Sequence, residues 1–331
     1  MTVSSPYSGK PMRVVYEPDT WDFRGEKFSY IHIAFRDDEW GEQFTTTESD
    51  TVCYEQVTNQ YRAKYGIPYT DEIIAVRQRY GVSAAKMSLI LGIGTNQYRL
   101  YEQGEVPNVS NGRMIRSIMN PKVMLEMVES SRNQLSQAEY RKIADKVKIV
   151  IDQSDTYKMK QYETLRIFTT PRSAENGYAQ TSLDRLKNIM LYLLNRCEEV
   201  WCTKMNKLLF YVDFLSYRER GMAMTGLSYR AINFGPVPER WDRVYSEFPE
   251  VEQELRQTGD FVGSVLTTTS EPDLSMFTDT EMKVLDCVCN RFGTKSSREI
   301  SRLSHDETAW KNHHENHEKI PFQEAFSIKA I

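Results

Sequence analysis

Residues 69–119 contain four short stretches of helical apolar periodicity, separated by residues that start or stop helices. Gly81, Gly92 and Gly104 stand at the ends of the first three stretches, and Ser83 stands where the second begins. Glycine adopts the left-handed conformation that ends many helices, and serine accepts hydrogen bonds from the free amides that begin them. Two short helices joined by a glycine turn are typical of a helix-turn-helix within a small helical bundle. We therefore predict such a bundle here.

The third stretch, residues 95–102, has the composition of a DNA recognition helix. Tyr98 and Tyr101 are three residues apart, so both are expected to pack inward. The polar residues near its start are types that pair with adenine or guanine in the major groove, and those at the start of the preceding helix suit phosphate contacts. A polar surface helix of a protein-binding bundle is the alternative. The predicted DNA-binding residues are Thr95, Asn96, Gln97, Arg99, Ser83, Lys86 and Arg113.

The distribution of charge agrees with a small DNA contact and argues against a protein that coats nucleic acid. The formal net charge of the chain is −4. Residues 66–120 carry six basic and four acidic side chains, whereas residues 1–65 carry seven basic and eleven acidic ones. A locally basic island in an acidic chain is compatible with a site-specific DNA contact.

The predicted fold class is mainly α, and α+β overall. Phe28–Phe35 is aromatic and β-branched, which predicts a strand inside a small β-rich N-terminal module. Helical periodicity dominates the C-terminal half, with one helix predicted at residues 239–248 and a strand of a small sheet at 261–266. The predicted domains are residues 1–65, the helix-turn-helix at 66–130, a connecting helix with a linker at 131–181, and a mostly helical domain at 182–331.

The sequence favours a cytoplasmic protein without a cofactor. No apolar run approaches the roughly 20 residues that a membrane span needs, and no signal peptide is visible. The five cysteines contain no C-x-x-C pair, so no zinc site or disulfide framework is expected. His313 and His317 have the spacing of two metal ligands, but their polar surroundings favour a hydrated segment, and we predict no metal. An enzymatic alternative would use His305 with nearby acids, but no nucleophile or carboxylate pair supports it.

The first third of the chain resembles the MqsA-type antitoxin and repressor family. The matching stretches are Phe44–Thr47, Tyr61–Pro68, Ser83–Gly92 and Tyr101–Pro107, in the order of the family. Family members usually carry a zinc module built from two C-x-x-C pairs. Here Ser5–Gly9 replaces the first pair and the second is lost around Asp37–Gly41. The resemblance therefore implies a degenerate module that holds together without zinc.

The second half of the chain resembles the Panacea (SocA-like) antitoxin domain. The matching stretches are Lys204–Asp213, Gly221–Gly226, Ala231–Pro238 with Tyr245, and Ser304–Trp310. The resemblance implies that residues 182–328 neutralise a protein toxin. An aromatic loop stiffened by proline is a suitable interface, although such residues often serve only to pack the loop. The predicted toxin-binding residues are Phe234, Pro236, Pro238, Trp241 and Tyr245.

Together, these resemblances predict the antitoxin of a type II toxin–antitoxin system rather than an enzyme. It would neutralise a cognate toxin by direct binding and repress its own operon as a homodimer on operator DNA, with no membrane partner. The alternative is a transcriptional regulator of a phage or mobile element that binds a partner other than a toxin.

Overall fold

The computed structural model describes residues 3–153, 164–258 and 261–331. The chain forms two compact units, one comprising residues 58–162 and the other residues 1–57 together with 163–331. About 51% of the chain is helical and its sheets are small and antiparallel, which confirms the predicted fold class. Residues 154–163 of the predicted connecting segment lie outside the described residues, and the division into four domains stays a prediction.

The N-terminal module begins with a long β-hairpin. Strands β1 (Arg13–Phe23) and β2 (Glu26–Arg36) pair antiparallel, β3 (Gln43–Phe44) adds to β2, and helix α1 (Thr47–Tyr65) follows. The two turn residues, Arg24 and Gly25, have φ of 56° and 81°, the positive values that suit the twist of a two-residue hairpin. The strand predicted at residues 28–35 lies within β2 and is confirmed.

The unit at residues 58–162 is a helical bundle. After the end of α1 it contains α2 (Thr70–Tyr80), α3 (Ala84–Ile90), α4 (Gln97–Glu102), α5 (Val109–Ser117), α6 (Pro121–Ser130) and α7 (Gln137–Asp152). As predicted, Gly81 ends α2 in the left-handed conformation, with φ of 63°, and the Ser83 hydroxyl accepts a hydrogen bond from the Lys86 amide at the start of α3. Met87, Tyr98 and Val147 are fully buried in one apolar core, so α7 completes the bundle.

The other unit continues after residue 163 around one buried helix. Its elements are α8 (Leu183–Arg196), α9 (Cys202–Arg220), the hairpin β4 (Tyr229–Ile232) and β5 (Gly235–Pro238), α10 (Trp241–Val244), the hairpin β6 (Glu252–Thr258) and β7 (Phe261–Thr267), α11 (Asp279–Phe292), α12 (Ser297–Asp306), α13 (Thr308–Lys311) and a 3-10 helix at Phe322–Ser327. Every residue of α9 from Lys204 to Tyr217 is buried. The neighbouring elements therefore surround α9.

The helix predicted at residues 239–248 is wrong, because only Trp241–Val244 is helical. Arg240 has φ of 55°, and this left-handed residue separates the short helix from the preceding strand. None of the helices within the described ranges combines the length and the apolar character that a membrane crossing requires.

Candidate functional site

Three charged side chains of α9, those of Lys204, Lys207 and Asp213, lie in the protein interior with at most 1% of their surface exposed. A buried charge is costly unless hydrogen bonds compensate for the lost water. Each of the three bonds to the backbone of a neighbouring segment. They therefore fix the surrounding loops to α9 and do not form a charged surface.

Asp213 fixes the loop that follows α9. Its carboxylate accepts hydrogen bonds from the backbone amides of Met224 and Thr225, both at 2.8 Å, from the Tyr229 hydroxyl at 2.6 Å, and from the Thr225 hydroxyl. Burial raises the pKa of Asp213, and these donors oppose that effect by stabilising the carboxylate. The loop therefore leads into β4 from a fixed position.

Lys207 fixes the turn between β4 and β5. Its ammonium nitrogen donates to the carbonyl oxygens of Phe234, at 2.5 Å, and Pro236, at 3.0 Å. Burial lowers the pKa of Lys207 to about 7. Gly235 lies between these carbonyls with φ of 94°, and a β-carbon there would stand 2.8 Å from the Lys207 nitrogen and 3.0 Å from Nε2 of His305. Only glycine fits this close approach.

Two aromatic side chains complete the support of the same turn. Trp310 donates from its indole nitrogen to the Ile232 carbonyl at 2.8 Å, and its ring packs on His305 with the centroids 4.5 Å apart. Nε2 of His305 is buried and has no hydrogen-bond partner among the described residues. Burial and the nearby Lys207 charge lower the pKa of His305. We call Lys207, His305 and Trp310 the turn clamp.

The turn clamp holds the backbone of the turn and leaves the Phe234 side chain 73% exposed. Of the five predicted toxin-binding residues, Trp241 is the other exposed one, at 44%. Pro236 and Pro238 are buried within β5. Tyr245 is only 2% exposed and its hydroxyl donates to the Cys202 carbonyl at 3.1 Å. Phe234 in the turn and Trp241 on α10 are thus the two predicted toxin-binding residues that reach the surface.

The predicted recognition helix α4 rests on the core as expected. Tyr98 and Tyr101 are buried, which confirms that they pack inward, and the Tyr98 hydroxyl donates to the Ile73 carbonyl at 2.8 Å. Arg77 pairs with Glu102 at the end of α4, with 2.5 Å between their charged groups. These contacts orient the short helix and neutralise the carboxylate nearest its C-terminal end.

The predicted DNA-binding residues differ in how free their side chains are. Thr95, Asn96, Arg99 and Arg113 are exposed, and within the described residues no side-chain hydrogen bond or ion pair engages them. Three others are engaged: Ser83 caps α3, Lys86 pairs with Glu139 at 2.9 Å, and Gln97 donates to Glu105 at 2.9 Å. The outward face at the start of α4 therefore presents Thr95, Asn96 and Arg99.

The histidines near the C-terminus do not come together as metal ligands. His313 lies 3.3 Å from both Glu318 and Glu324, whereas Nδ1 of His317 faces the Ala231 carbonyl. Across residues 3–153, 164–258 and 261–331, no group of three potential metal-ligating side chains converges.

Two turns of the N-terminal module share one hydrogen-bonding pattern. In each, the side-chain oxygen of the first residue, Ser5 or Asp37, accepts from the backbone amides two and three residues later, at distances between 2.8 and 3.3 Å. The carbonyl of that residue accepts from a glycine amide four residues later, Gly9 at 3.0 Å or Gly41 at 2.7 Å. These are the two stretches in which the sequence was compared with the C-x-x-C pairs of the MqsA-type family.

A carboxylate links the two turns. The Ser8 hydroxyl donates to Asp37 at 3.3 Å, and a hydrogen bond from Ser5 lowers the pKa of Asp37. Ser5 and Asp37 are both buried. The positions that correspond to the four cysteines of two C-x-x-C pairs are Ser5, Ser8, Asp37 and Trp40. Structural zinc sites use thiolates and imidazoles, so two hydroxyls, one carboxylate and an indole do not fit a zinc ion. This Ser–Asp network was not predicted from the sequence.

The turn clamp and the Phe234 turn lie within one stretch that is similar to a known family. Residues 205–311 match the family model described as "Antitoxin SocA-like, Panacea domain", and this match covers about a third of the 331 residues. No curated protein and no solved structure matches the chain. Over residues 205–311, this chain is therefore similar to an antitoxin-like Panacea domain.

Proposed function

We propose that this chain is an antitoxin that binds and neutralises a protein toxin through the unit containing the turn clamp, and represses its own operon through α3 and α4. The match of residues 205–311 to an antitoxin-like domain carries the first part of the proposal. An antitoxin-like domain also favours a binding role over an enzymatic one, so His305 is assigned to the turn clamp and not to catalysis.

The proposed toxin contact is centred on Phe234, with Trp241 as a second aromatic side chain. Interface energy concentrates in a few large aromatic residues, and those held on a rigid backbone lose little conformational entropy on binding. Hydrogen bonds from Lys207 hold the backbone on both sides of Gly235, and Phe234 projects from that backbone. The side chain is therefore available to a partner while its attachment point is fixed.

The proposed DNA contact uses the start of α4. Asn96 suits adenine, Arg99 suits guanine, and Thr95 lies beside them, all exposed. Arg113 and, after breaking its pair with Glu139, Lys86 would contact phosphates. A homodimer would place two copies of α4 on the two halves of a palindromic operator.

A growth assay tests the antitoxin role. Cells express the small reading frame next to the gene of this chain, either alone or together with the chain. If the neighbour alone stops growth and the chain restores it, neutralisation is supported. If the neighbour is harmless, or remains toxic in the presence of the chain, the proposal fails for that pair. Binding of the chain to the upstream DNA would then favour the alternative, a phage or mobile-element regulator with a partner other than a toxin.

A further inference from the structure

Cys197 and Cys289 face each other inside the unit that holds the turn clamp. Their sulfur atoms are 3.9 Å apart, and both residues are buried, with exposures of 9% and 6%. Cys197 directly follows α8, and Cys289 lies in the last turn of α11, 92 residues later in the chain. All five cysteines are free thiols, and within the described ranges this is the one pair in contact.

The backbone around the two thiols is held in place from both sides. The Glu198 amide donates to the Gly293 carbonyl at 2.9 Å. The buried Lys204 ammonium donates to the carbonyls of Glu198, at 2.6 Å, and Gly293, at 2.8 Å. One lysine thus joins the segment after Cys197 to the segment after Cys289, and the two sulfurs are kept within reach of each other.

Two cations stand near Cys197. The hydrogen bond between the two thiols is the largest cause that lowers the pKa of Cys197, burial opposes it, and the charges of the Lys204 ammonium and the Arg196 guanidinium lower the pKa further. The thiolate is the nucleophilic form of cysteine, and a second thiol nearby can convert an oxidised cysteine into a disulfide. Cys289 is the second thiol here.

We propose that Cys197 and Cys289 are a redox-sensitive dithiol that hydrogen peroxide oxidises to an intramolecular disulfide. The Cys197 thiolate attacks one oxygen of the peroxide, the O–O bond breaks, and the departing hydroxide takes a proton and leaves as water. Cys197 is then a sulfenic acid. The Cys289 thiol loses its proton, its sulfur attacks the sulfur of Cys197, and the S–O bond breaks. The second hydroxide takes that proton, so two thiols are oxidised and one peroxide is reduced to two waters.

The disulfide would join the end of α8 to the end of α11. A disulfide bond is about 2 Å long, so the two sulfurs must approach each other by about 2 Å for the bond to form. Crosslinking residues that are far apart in the chain restricts the unfolded state. We therefore expect the oxidised protein to melt at a higher temperature than the reduced protein.

Peroxide treatment of the full-length chain tests the dithiol. After brief exposure to hydrogen peroxide and blocking of the remaining thiols, peptide mapping without reductant should find one crosslinked pair containing Cys197 and Cys289. The number of titratable thiols should fall from five to three and return to five with dithiothreitol. Cys197→Ser and Cys289→Ser should each abolish the crosslink, whereas Cys202→Ser and Cys287→Ser should retain it.

The proposal is overturned if the exposed Cys287 is oxidised while Cys197 and Cys289 stay reduced in the native chain, or if the crosslinked peptides contain other cysteines. Because the map is made on the native sequence, this result does not depend on whether a serine variant folds. The measurement uses neither toxin nor DNA. The result for the dithiol is therefore independent of the result for the proposed function.

Discussion

The buried ammonium group of Lys207 lies 2.5 Å from the carbonyl oxygen of Phe234, a residue whose own side chain is 73% exposed. Lys207 is buried, Phe234 is mostly exposed, and the backbone oxygen of Phe234 connects the two residues. This contact, with the second one to Pro236 at 3.0 Å, makes the shape of the turn depend on a group in the core.

Lys207→Met should change how stability depends on pH. Burial lowers the pKa of Lys207 to about 7, whereas an unfolded lysine titrates near pH 10.4. Between these values the unfolded chain binds the proton and the folded chain does not, so this lysine makes the native protein more stable as pH rises. The free energy of unfolding of the native chain minus that of Lys207→Met should increase by about 2 kcal/mol between pH 7 and pH 9. Urea unfolding at both pH values measures it.

Lys142→Met is the matched control, because Lys142 is exposed on α7. The stability difference between this variant and the native chain should not depend on pH over the same range. Parallel pH profiles for the native chain and Lys207→Met would show that the buried amine keeps its ordinary pKa.

Phe234→Ala should impair toxin binding and leave the fold intact. An exposed aromatic residue on a rigid turn is expected to contribute about 2 kcal/mol or more at an interface. Its removal creates no cavity in the protein, so the melting temperature should stay the same. Calorimetric titration with the toxin measures the loss. Leu255→Ala, at a site that is 76% exposed on β6, is the control and should bind normally. Equal affinity for both variants would remove Phe234 from the interface.

Arg99→Ala and Asn96→Ala should each weaken operator binding by about 1–3 kcal/mol, because each removes one base contact. Toxin neutralisation should be unchanged in both variants. Gel-shift titration with the DNA upstream of the gene measures the affinity. Arg141→Ala removes an exposed positive charge from α7 and is the control for a general effect of charge. A similar loss for all three variants would mean that α4 does not read bases.

Asp37→Ala should loosen the two matched turns of the N-terminal module. It leaves the amides of Glu39 and Trp40 and the Ser8 hydroxyl without their acceptor. Amide hydrogen exchange at Glu39 and Trp40 should therefore become faster. Asp37→Asn keeps one oxygen for the two amides and should retain most of their protection. A chelator should change neither result, and faster exchange on adding one would indicate that a bound metal holds the turns.

Gly221→Ala should destabilise the protein more than Gly81→Ala. Both glycines have positive φ, 67° and 63°, so alanine costs about 1 kcal/mol of backbone strain at either site. At Gly221 the new β-carbon would also lie 2.9 Å from the Glu55 side chain and 3.2 Å from the Gln56 backbone nitrogen, whereas the space beside Gly81 is open. Crowding should bring the cost at Gly221 to about 3 kcal/mol. Thermal unfolding of the two variants compares them directly, and equal melting temperatures would contradict the crowding.

Local signals in the sequence were sufficient for the helical bundle. The end of α2 at Gly81, the cap of α3 at Ser83 and the inward packing of Tyr98 each depend on residues a few positions apart. The strand β6 was not predicted, because its residues Glu252–Thr258 are mostly polar and show no alternation with apolar ones. The helix predicted at residues 239–248 was wrong at its start for another local reason, the left-handed conformation of Arg240.

The turn clamp could not be predicted from local patterns. Lys207 and His305 are almost 100 residues apart, and neither a lysine in a helix nor a single histidine indicates a buried partner. The one available signal was the presence of Lys204, Lys207 and Asp213 within a mostly apolar stretch of the helix, since charges in a buried stretch must find partners. The family resemblance marked these residues without giving their role. The pairing of Cys197 with Cys289 is equally nonlocal.

The hydrogen bonds of Lys207 end on backbone oxygens, and this has a consequence for how such a domain can diversify. The lysine fixes the path of the chain at residues 234–236 through two carbonyl oxygens, and close neighbours restrict Gly235 while the Phe234 side chain is exposed. A different residue at position 234 would therefore be displayed at the same place on an unchanged scaffold. A substitution at this one exposed position would change which partner is bound. The buried residues that hold the turn would not have to change with it.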